Sequence, residues 1–183
     1  GGTTPSKLYA AWSEYGEGRP VVVANAGFFN MRTLESVSLL VNEGKVDAPD
    51  VRSVTRTNAN GEKVTVYPIH AAFGQMPDGS YEAQWIFCQP EKDYHPYVYP
   101  FAVGNDDSLR LYSPTPPAVG QLGSYPWTVV DAVAAGPMLV KNGRDVSLES
   151  SLGESYYRTI GGKARHNRTA IGLTDDGKLV IMV

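Results

Sequence analysis

The sequence has very little cysteine and no long hydrophobic run. Cys88 is the only cysteine among 183 residues, which excludes an internal disulfide framework and any metal site built from several thiolates. It ends the apolar run at residues 84–88, so we expect a small buried side chain and not a reactive thiol. No apolar stretch approaches the length that spans a bilayer, so we expect no transmembrane segment.

A strong net charge is also absent. The formal net charge is −3, and 42% of residues are hydrophobic and 19% charged, which is the composition of a globular protein. We therefore expect no nucleic acid partner, and any anion site must be a local cluster of cations. The histidines His70, His95 and His166 lack the spacing of zinc ligands, so the sequence predicts no metal site.

Length and local signals predict a single domain over residues 1–183, because a chain of this size is enough for one ordinary core. Thr4 and Pro5 are typical of a helix start, and Gly16 is typical of its end. The apolar run at residues 21–24 predicts a buried strand.

Most of the remaining chain has the pattern of strands separated by turns. Asn-Gly and Asp-Gly pairs predict hairpins at Asn60-Gly61, Asp78-Gly79, Asn142-Gly143 and Asp176-Gly177. Residues 90–127 hold many prolines, tyrosines and acidic residues, which predicts a long surface excursion. The predicted fold class is α+β: a β-rich single domain with a mixed twisted sheet and few flanking helices.

Two glycines occur where predicted strands begin or end. In Asn25-Ala26-Gly27-Phe28-Phe29, an amide and a glycine follow the predicted strand, which is a common way to present a side chain at a sheet edge. Gly27 permits a positive φ or the close approach of another group; the alternative is a strand-end turn with two core phenylalanines. Gly136, before Pro137, could present its amide to a ligand or could serve only as a turn.

Positive charge is concentrated in one short segment. Lys163, Arg165, His166 and Arg168 fall just before a predicted strand at residues 170–173. The planar fork of arginine matches two phosphate oxygens at once, which favours a phosphate site, and a solvated basic loop is the alternative.

Single carboxylates carry little information in this sequence. Glu35, Asp131 and Glu154 are candidates, but no pattern places any two on opposite sides of a bond. Each is interpreted as a surface or capping acid.

Taken in order, these segments resemble the phosphodiester glycosidase family. The matching segments are Asn25-Ala26-Gly27-Phe28-Phe29, residues 70–74, the Asp78-Gly79 turn, residues 136–143 and residues 168–172. The resemblance implies a hydrolase: a glycosidase that cleaves the bond between an anomeric carbon and a phosphate, acting on a phosphorylated sugar or glycan without a redox cofactor. It also implies export to the periplasm, the cell envelope or the extracellular space.

With that chemistry we assign roles to eight residues. Arg168 is the expected phosphate clamp, assisted by His166 or Arg165, because a guanidinium pairs well with phosphate. Glu35 is the expected carboxylate that activates water. Asn25 is the remaining expected catalytic residue and hydrogen-bonds the sugar or the phosphate. Gly27, Gly136 and Thr169 are expected to bind the substrate.

Members of the family continue through a helix to an Asp-Gly-Gly-Gly-Ser segment, which the sequence does not reach before Val183. We therefore expect a domain that is incomplete at its carboxyl end. The alternative functions are a non-catalytic envelope module that binds phosphorylated glycans, an inactive fragment of the enzyme, and a purely structural domain.

Overall fold

The computed structural model describes residues 3–16, 18–57, 60–101, 116–154 and 168–183. Within these ranges no helix is both long and apolar enough to cross a bilayer. The helices are α1 (Pro5–Tyr15) and α2 (Ser147–Gly153), with short 3₁₀ turns at Pro90–Lys92 and Gln121–Gly123.

The strands are between two and nine residues long. They are β1 (Leu40–Asn42), β2 (Lys45–Ala48), β3 (Val54–Thr57), β4 (Lys63–Val66), β5 (His70–Gln75), β6 (Tyr81–Gln89), β7 (His95–Tyr99), β8 (Tyr125–Pro126), β9 (Asp131–Ala135), β10 (Val140–Lys141), β11 (Arg144–Asp145), β12 (Ala170–Leu173) and β13 (Leu179–Met182).

One seven-stranded sheet organises the domain, in the order β2-β1-β9-β5-β6-β7-β8. Strand β9 lies between β1 and β5 and pairs with both, with Val133 opposite Leu40 and Ala135 opposite Ala71. The pairs β3–β4, β10–β11 and β12–β13 form separate two-stranded ribbons. The prediction of a β-rich α+β fold is confirmed, although the sheet is antiparallel at its paired strands and not mixed.

Both faces of the sheet are covered. Neighbouring residues of one strand point to opposite faces, and Trp85 and Ile86 accordingly belong to different apolar clusters. The first cluster contains Leu39, Val41, Ala72, Ile86, Cys88, Val98, Trp127, Val129, Ala132 and Ala134. The second cluster contains Ile69, Ala71, Trp85, Phe87, Tyr97, Tyr99, Met138 and Val146.

Local signals identified the helix and the hairpins correctly. Helix α1 begins after Thr4, whose hydroxyl accepts a bond from the Lys7 amide, and Gly16 follows its last turn. Each predicted Asn-Gly or Asp-Gly pair lies between two paired strands: β3–β4, β5–β6, β10–β11 and β12–β13. Cys88 is buried, as expected.

The predicted buried strand at residues 21–24 is wrong. Those residues form no strand, and Val21 is fully exposed. An apolar β-branched run favours extended backbone, but a strand also needs a neighbour that supplies its hydrogen bonds. In the part of the chain that the structure describes, no strand pairs with this segment.

The predicted surface excursion at residues 90–127 is also corrected. Within it, β7 is an interior strand of the sheet and Trp127 is almost completely buried, with its indole donating to the Glu82 carboxylate at 3.1 Å. Alternation of Tyr97, Val98 and Tyr99 between the two clusters was the available signal. Residues 102–115 lie outside the described residues.

Strand β5 passes close to Trp127 at Gly74. A Cβ added at Gly74 would lie 2.9 Å from the Trp127 ring and 3.0 Å from the Asp131 carbonyl oxygen. We expect Gly74→Ala to lower the free energy of unfolding by about 1–3 kcal/mol, because an overpacked core strains its neighbours. Urea unfolding followed by tryptophan fluorescence measures this.

Gly172→Ala is the matched control, because Gly172 also lies in a strand but a Cβ there would have no atom within 4 Å. Its effect should stay within roughly 1 kcal/mol of wild type. Equal losses for the two variants would show that packing at Gly74 is not the cause.

Candidate active site

Two segments that lie far apart in the sequence meet at a side-chain hydrogen bond. The Thr169 hydroxyl donates to Asn25 Oδ1 at 2.7 Å, although the residues are 144 positions apart. The bond orients the amide of Asn25, because its oxygen faces Thr169 and its NH₂ group is then the donor side. Arg168, exposed and directly before Thr169, is thereby held next to the Asn25 segment.

Gly27 brings this segment against the sheet. A Cβ at Gly27 would lie 2.6 Å from the Ala134 carbonyl oxygen and 3.1 Å from the Ser38 Cβ, so a side chain has no room. The Phe28 amide donates to the Ser38 hydroxyl at 3.1 Å, which fixes the next residue. Of the two predicted options for Gly27, the structure therefore has the close approach.

Gly136 lies at the same end of β9. Strand β9 stops at Ala135, and Gly136 follows at φ 129°, a conformation that strains other residues, before a cis bond to Pro137. Ala134, which Gly27 contacts, is two residues earlier in the chain. Both predicted glycines thus lie near the exit of one strand, and the Asn25–Thr169 bond lies beside them.

Glu35 lies in an exposed loop that directly follows the Asn25 segment. The loop is closed by a bridge between Phe29 and Ser36, and the Asn30 side-chain oxygen accepts bonds from amides inside it. The Glu35 carbonyl also accepts a bond from the Asn30 amide at 2.8 Å. Phe29 is about half exposed, so the alternative of two core phenylalanines is not what the structure has.

The predicted site residues Arg165 and His166 lie outside the described residues, as does Lys163. Arg168 and Thr169 represent this segment in the structure. The Thr169–Asn25 hydrogen bond and the close approach of Gly27 to Ala134 are contacts in the structure, Gly136 and Arg168 adjoin them in the chain, and Glu35 is placed only by its loop.

A buried group of ionisable residues lies beneath this end of the sheet. His70 Nδ1 is 2.6 Å from Asp50 Oδ2, and both side chains are almost completely buried. The backbone of Glu154 also hydrogen-bonds His70. Cys88 is influenced electrostatically by Asp50. A carboxylate against an imidazole stabilises the imidazolium form.

Glu154 is the C-cap residue of α2, but it is not a surface acid. Glu154 is fully buried, and its carboxylate accepts three N–H bonds: from the Ala71 amide at 2.8 Å, the Trp85 indole at 2.9 Å and the Met138 amide at 3.0 Å. A buried carboxylate is tolerated where hydrogen bonds replace its hydration. No sequence pattern indicates this burial, because the donors come from three separated segments.

Burial and neighbouring charges together shift the pKa values of these groups. Burial alone would lower the pKa of His70, but the Asp50 carboxylate and then Glu154 raise it, and the net pKa shift is upward. Burial raises the pKa of Glu154, against the opposing effects of the Met138 and Ala71 amides, His70 and the Trp85 indole. Burial likewise raises the pKa of Cys88 to about 12.

In the described ranges, no three histidine, cysteine or acidic side chains are grouped as metal ligands. The polar groups at the end of β9 are amides, a hydroxyl and an arginine. These groups suit an anionic, oxygen-rich ligand.

Comparison with known proteins identifies the family. The model of the phosphodiester glycosidase family matches residues 18–183. The chain belongs to the phosphodiester glycosidase family. The resemblance of the Asn25, Gly136 and Arg168 segments is thereby confirmed at the level of the family. The name of the family points to a glycosidase with a glycan-type substrate. No curated protein and no solved structure matches significantly.

The buried groups of this phosphodiester glycosidase predict how its stability depends on pH. His70 and Glu154 have pKa values raised by folding, so the stability they contribute is present below their ordinary values of 6.5 and 4.5 and is lost as the pH rises through their folded pKa values. We expect the free energy of unfolding to fall from pH 6.5 upward, with one unit of pKa difference worth about 1.4 kcal/mol. Urea midpoints measured across this range check it.

His95 supplies the control. Burial lowers the pKa of His95, so its contribution is present above pH 6.5 and is lost as the pH falls below 6.5. His95→Gln should therefore remove part of the stability loss below pH 6.5 and leave the decline above pH 6.5 unchanged. A stability that rises from pH 6.5 to 8.5 would contradict the assignment.

Proposed function

We propose that the protein hydrolyses a sugar-1-phosphodiester at the bond between the anomeric carbon and the phosphate oxygen. The hydroxyl of water joins the anomeric carbon, and the phosphate oxygen leaves with its electron pair and takes up a proton. Membership of the phosphodiester glycosidase family supports this reaction class. The observation that carries the proposal is the Thr169–Asn25 hydrogen bond, because it puts an arginine beside the Asn-Ala-Gly-Phe-Phe segment.

Arg168 binds the phosphate in this proposal. It directly precedes β12 and is flanked by Thr169, whose side chain is fixed by Asn25, so the guanidinium extends from a defined piece of backbone. A guanidinium can donate two parallel bonds to phosphate oxygens and stabilise the charge that grows as the bond breaks. Arg165 or His166 assists from the preceding segment.

Asn25 holds the sugar or the phosphate. Because its Oδ1 accepts from Thr169, its NH₂ group donates to oxygen atoms of the substrate. The close approach at Gly27 and the amide of Gly136 provide backbone contacts at the same strand end. Amides and a hydroxyl supply neutral hydrogen-bonding groups beside the cationic Arg168.

Glu35 activates the water. Its loop follows the Asn25 segment directly and is closed by the Phe29–Ser36 bridge. Phosphate is a much better leaving group than a sugar alcohol, so the reaction needs less help from a general acid than ordinary glycoside hydrolysis. The reaction then mainly needs a cation that binds the phosphate and a base that activates water.

The proposal also places the protein outside the cytoplasm, because sugar phosphodiesters of this kind belong to the secretory pathway or the cell envelope. Fractionation of the source cells tests this. Recovery with cytosolic markers alone would contradict it.

The first test of activity is Arg168→Ala. We expect kcat/KM on a sugar-1-phosphate methyl diester to fall by about 10²- to 10³-fold, as when a donor to developing charge is removed. Release of the sugar followed by chromatography measures the rate. Arg144→Ala is the control, because Arg144 is exposed on β11 and outside the site, and its rate should equal that of wild type.

Near-normal turnover by Arg168→Ala would overturn the role of Arg168. If the wild-type protein binds the diester without cleaving it, the proposed hydrolysis fails and a binding module is favoured. If it neither binds nor cleaves, a purely structural domain is favoured.

The Asn25–Thr169 contact is tested by a double-mutant cycle. We expect Asn25→Ala and Thr169→Val each to lower kcat/KM, and the double variant to lose less than the sum. Residues in direct contact typically couple by about 0.5–3 kcal/mol. Fully additive losses would show that the hydrogen bond does not organise the site.

A further inference from the structure

Glu154 lies at a junction of the fold that no assigned role explains. It follows α2, and its carboxylate is fully buried in the second cluster, beside Ala71, Trp85 and Met138. Both oxygens face N–H donors. Oε2 accepts from the Ala71 amide, and Oε1 accepts from the Trp85 indole and the Met138 amide.

The three donors belong to three separate parts of the chain that pack in the second cluster. Ala71 is at the start of β5 and pairs with Ala135, the last residue of β9. Met138 is in the turn that follows β9, where it belongs to no strand. Trp85 is in β6, next to β5. One carboxylate therefore bonds the turn after β9, its neighbouring strand β5 and the next strand in the sheet, β6.

The turn that Glu154 holds is the one that contains Gly136. Met138 is two residues beyond Gly136, and Gly27 is pressed against the carbonyl of Ala134, two residues before it. The Asn25 segment and the turn are thus positioned by the same end of β9. A shift of the Met138 amide would move the Gly136 backbone relative to Asn25.

We infer that Glu154 is a positioning residue: its carboxylate fixes the turn at Gly136 and Met138 so that the Gly136 amide and Asn25 keep a constant geometry towards the substrate. Glu154 does not touch the substrate, since it is fully buried. The inference rests on the proposed function for its consequence on catalysis, but the fixing of the turn can be measured without activity.

Hydrogen exchange of the wild-type protein is the first measurement. The Met138 amide belongs to no strand, and its acceptor is Glu154 Oε1. We expect it to exchange as slowly as amides of the β6–β7 ladder such as Phe87. Exchange as fast as that of an exposed turn such as Gly143 would overturn the inference, whether or not the protein is active.

The second measurement uses two substitutions. Glu154→Leu removes both acceptor oxygens at similar size, and Glu154→Gln keeps one of them. In Glu154→Leu we expect Met138 to exchange at least 100-fold faster relative to Phe87, and kcat to fall at least tenfold with KM changed less than threefold. Glu154→Gln should give intermediate values. Glu149→Gln, in the first turn of the same helix, should match wild type.

The outcomes separate the inference from the proposed function. A folded Glu154→Leu protein that keeps kcat within twofold of an active wild type would overturn the inference and leave the function standing. If the wild type is inactive but its Met138 amide exchanges slowly, and exchanges faster in Glu154→Leu, the proposed function fails. The fixing of the turn by Glu154 then still stands. If neither variant folds, exchange in the wild type decides.

Discussion

The pairing of β9 on both of its edges is the constraint on which the structure depends. Strand β9 comes late in the chain and enters between β1 and β5, so it joins the amino-terminal segment to the central hairpin β5–β6. Gly27 is pressed against its backbone, Gly136 follows its last residue, and Glu154 bonds the strand beside it and the turn after it. Because these pairings are non-local, they form at a high cost in loop closure.

Local chemistry was predictable from the sequence, and long-range pairing was not. Asn60-Gly61 and Asp78-Gly79 each identified a hairpin because the turn type is set by two residues. The strand predicted at residues 21–24 failed because the apolar run has no ladder partner, and β7 was missed because prolines and tyrosines masked its alternation. Sheet order depends on contacts that composition does not encode locally.

The candidate site likewise contains residues that local motifs indicate and one, Glu154, whose place depends on long-range contacts. Asn25, Gly27, Gly136 and Arg168 were chosen because short motifs and their order carry the family resemblance; the family is shown, and the roles of these residues stay predictions. Glu154 was misread because a single acid gives no pattern, and its burial is evident only when Ala71, Trp85 and Met138 are seen to converge on it. A buried charge that ties separate segments is therefore a feature that structure alone reveals.

The burial of Cys88 has a practical consequence. A thiol reacts as its thiolate, and a pKa of about 12 leaves almost none near neutral pH, while the surrounding first cluster blocks reagents. Alkylation of this thiol then requires the sheet to open. The rate of labelling at low denaturant therefore reports how often the core opens. The same inertness leaves a cysteine engineered on the surface free to carry a fluorophore without competition from the native one.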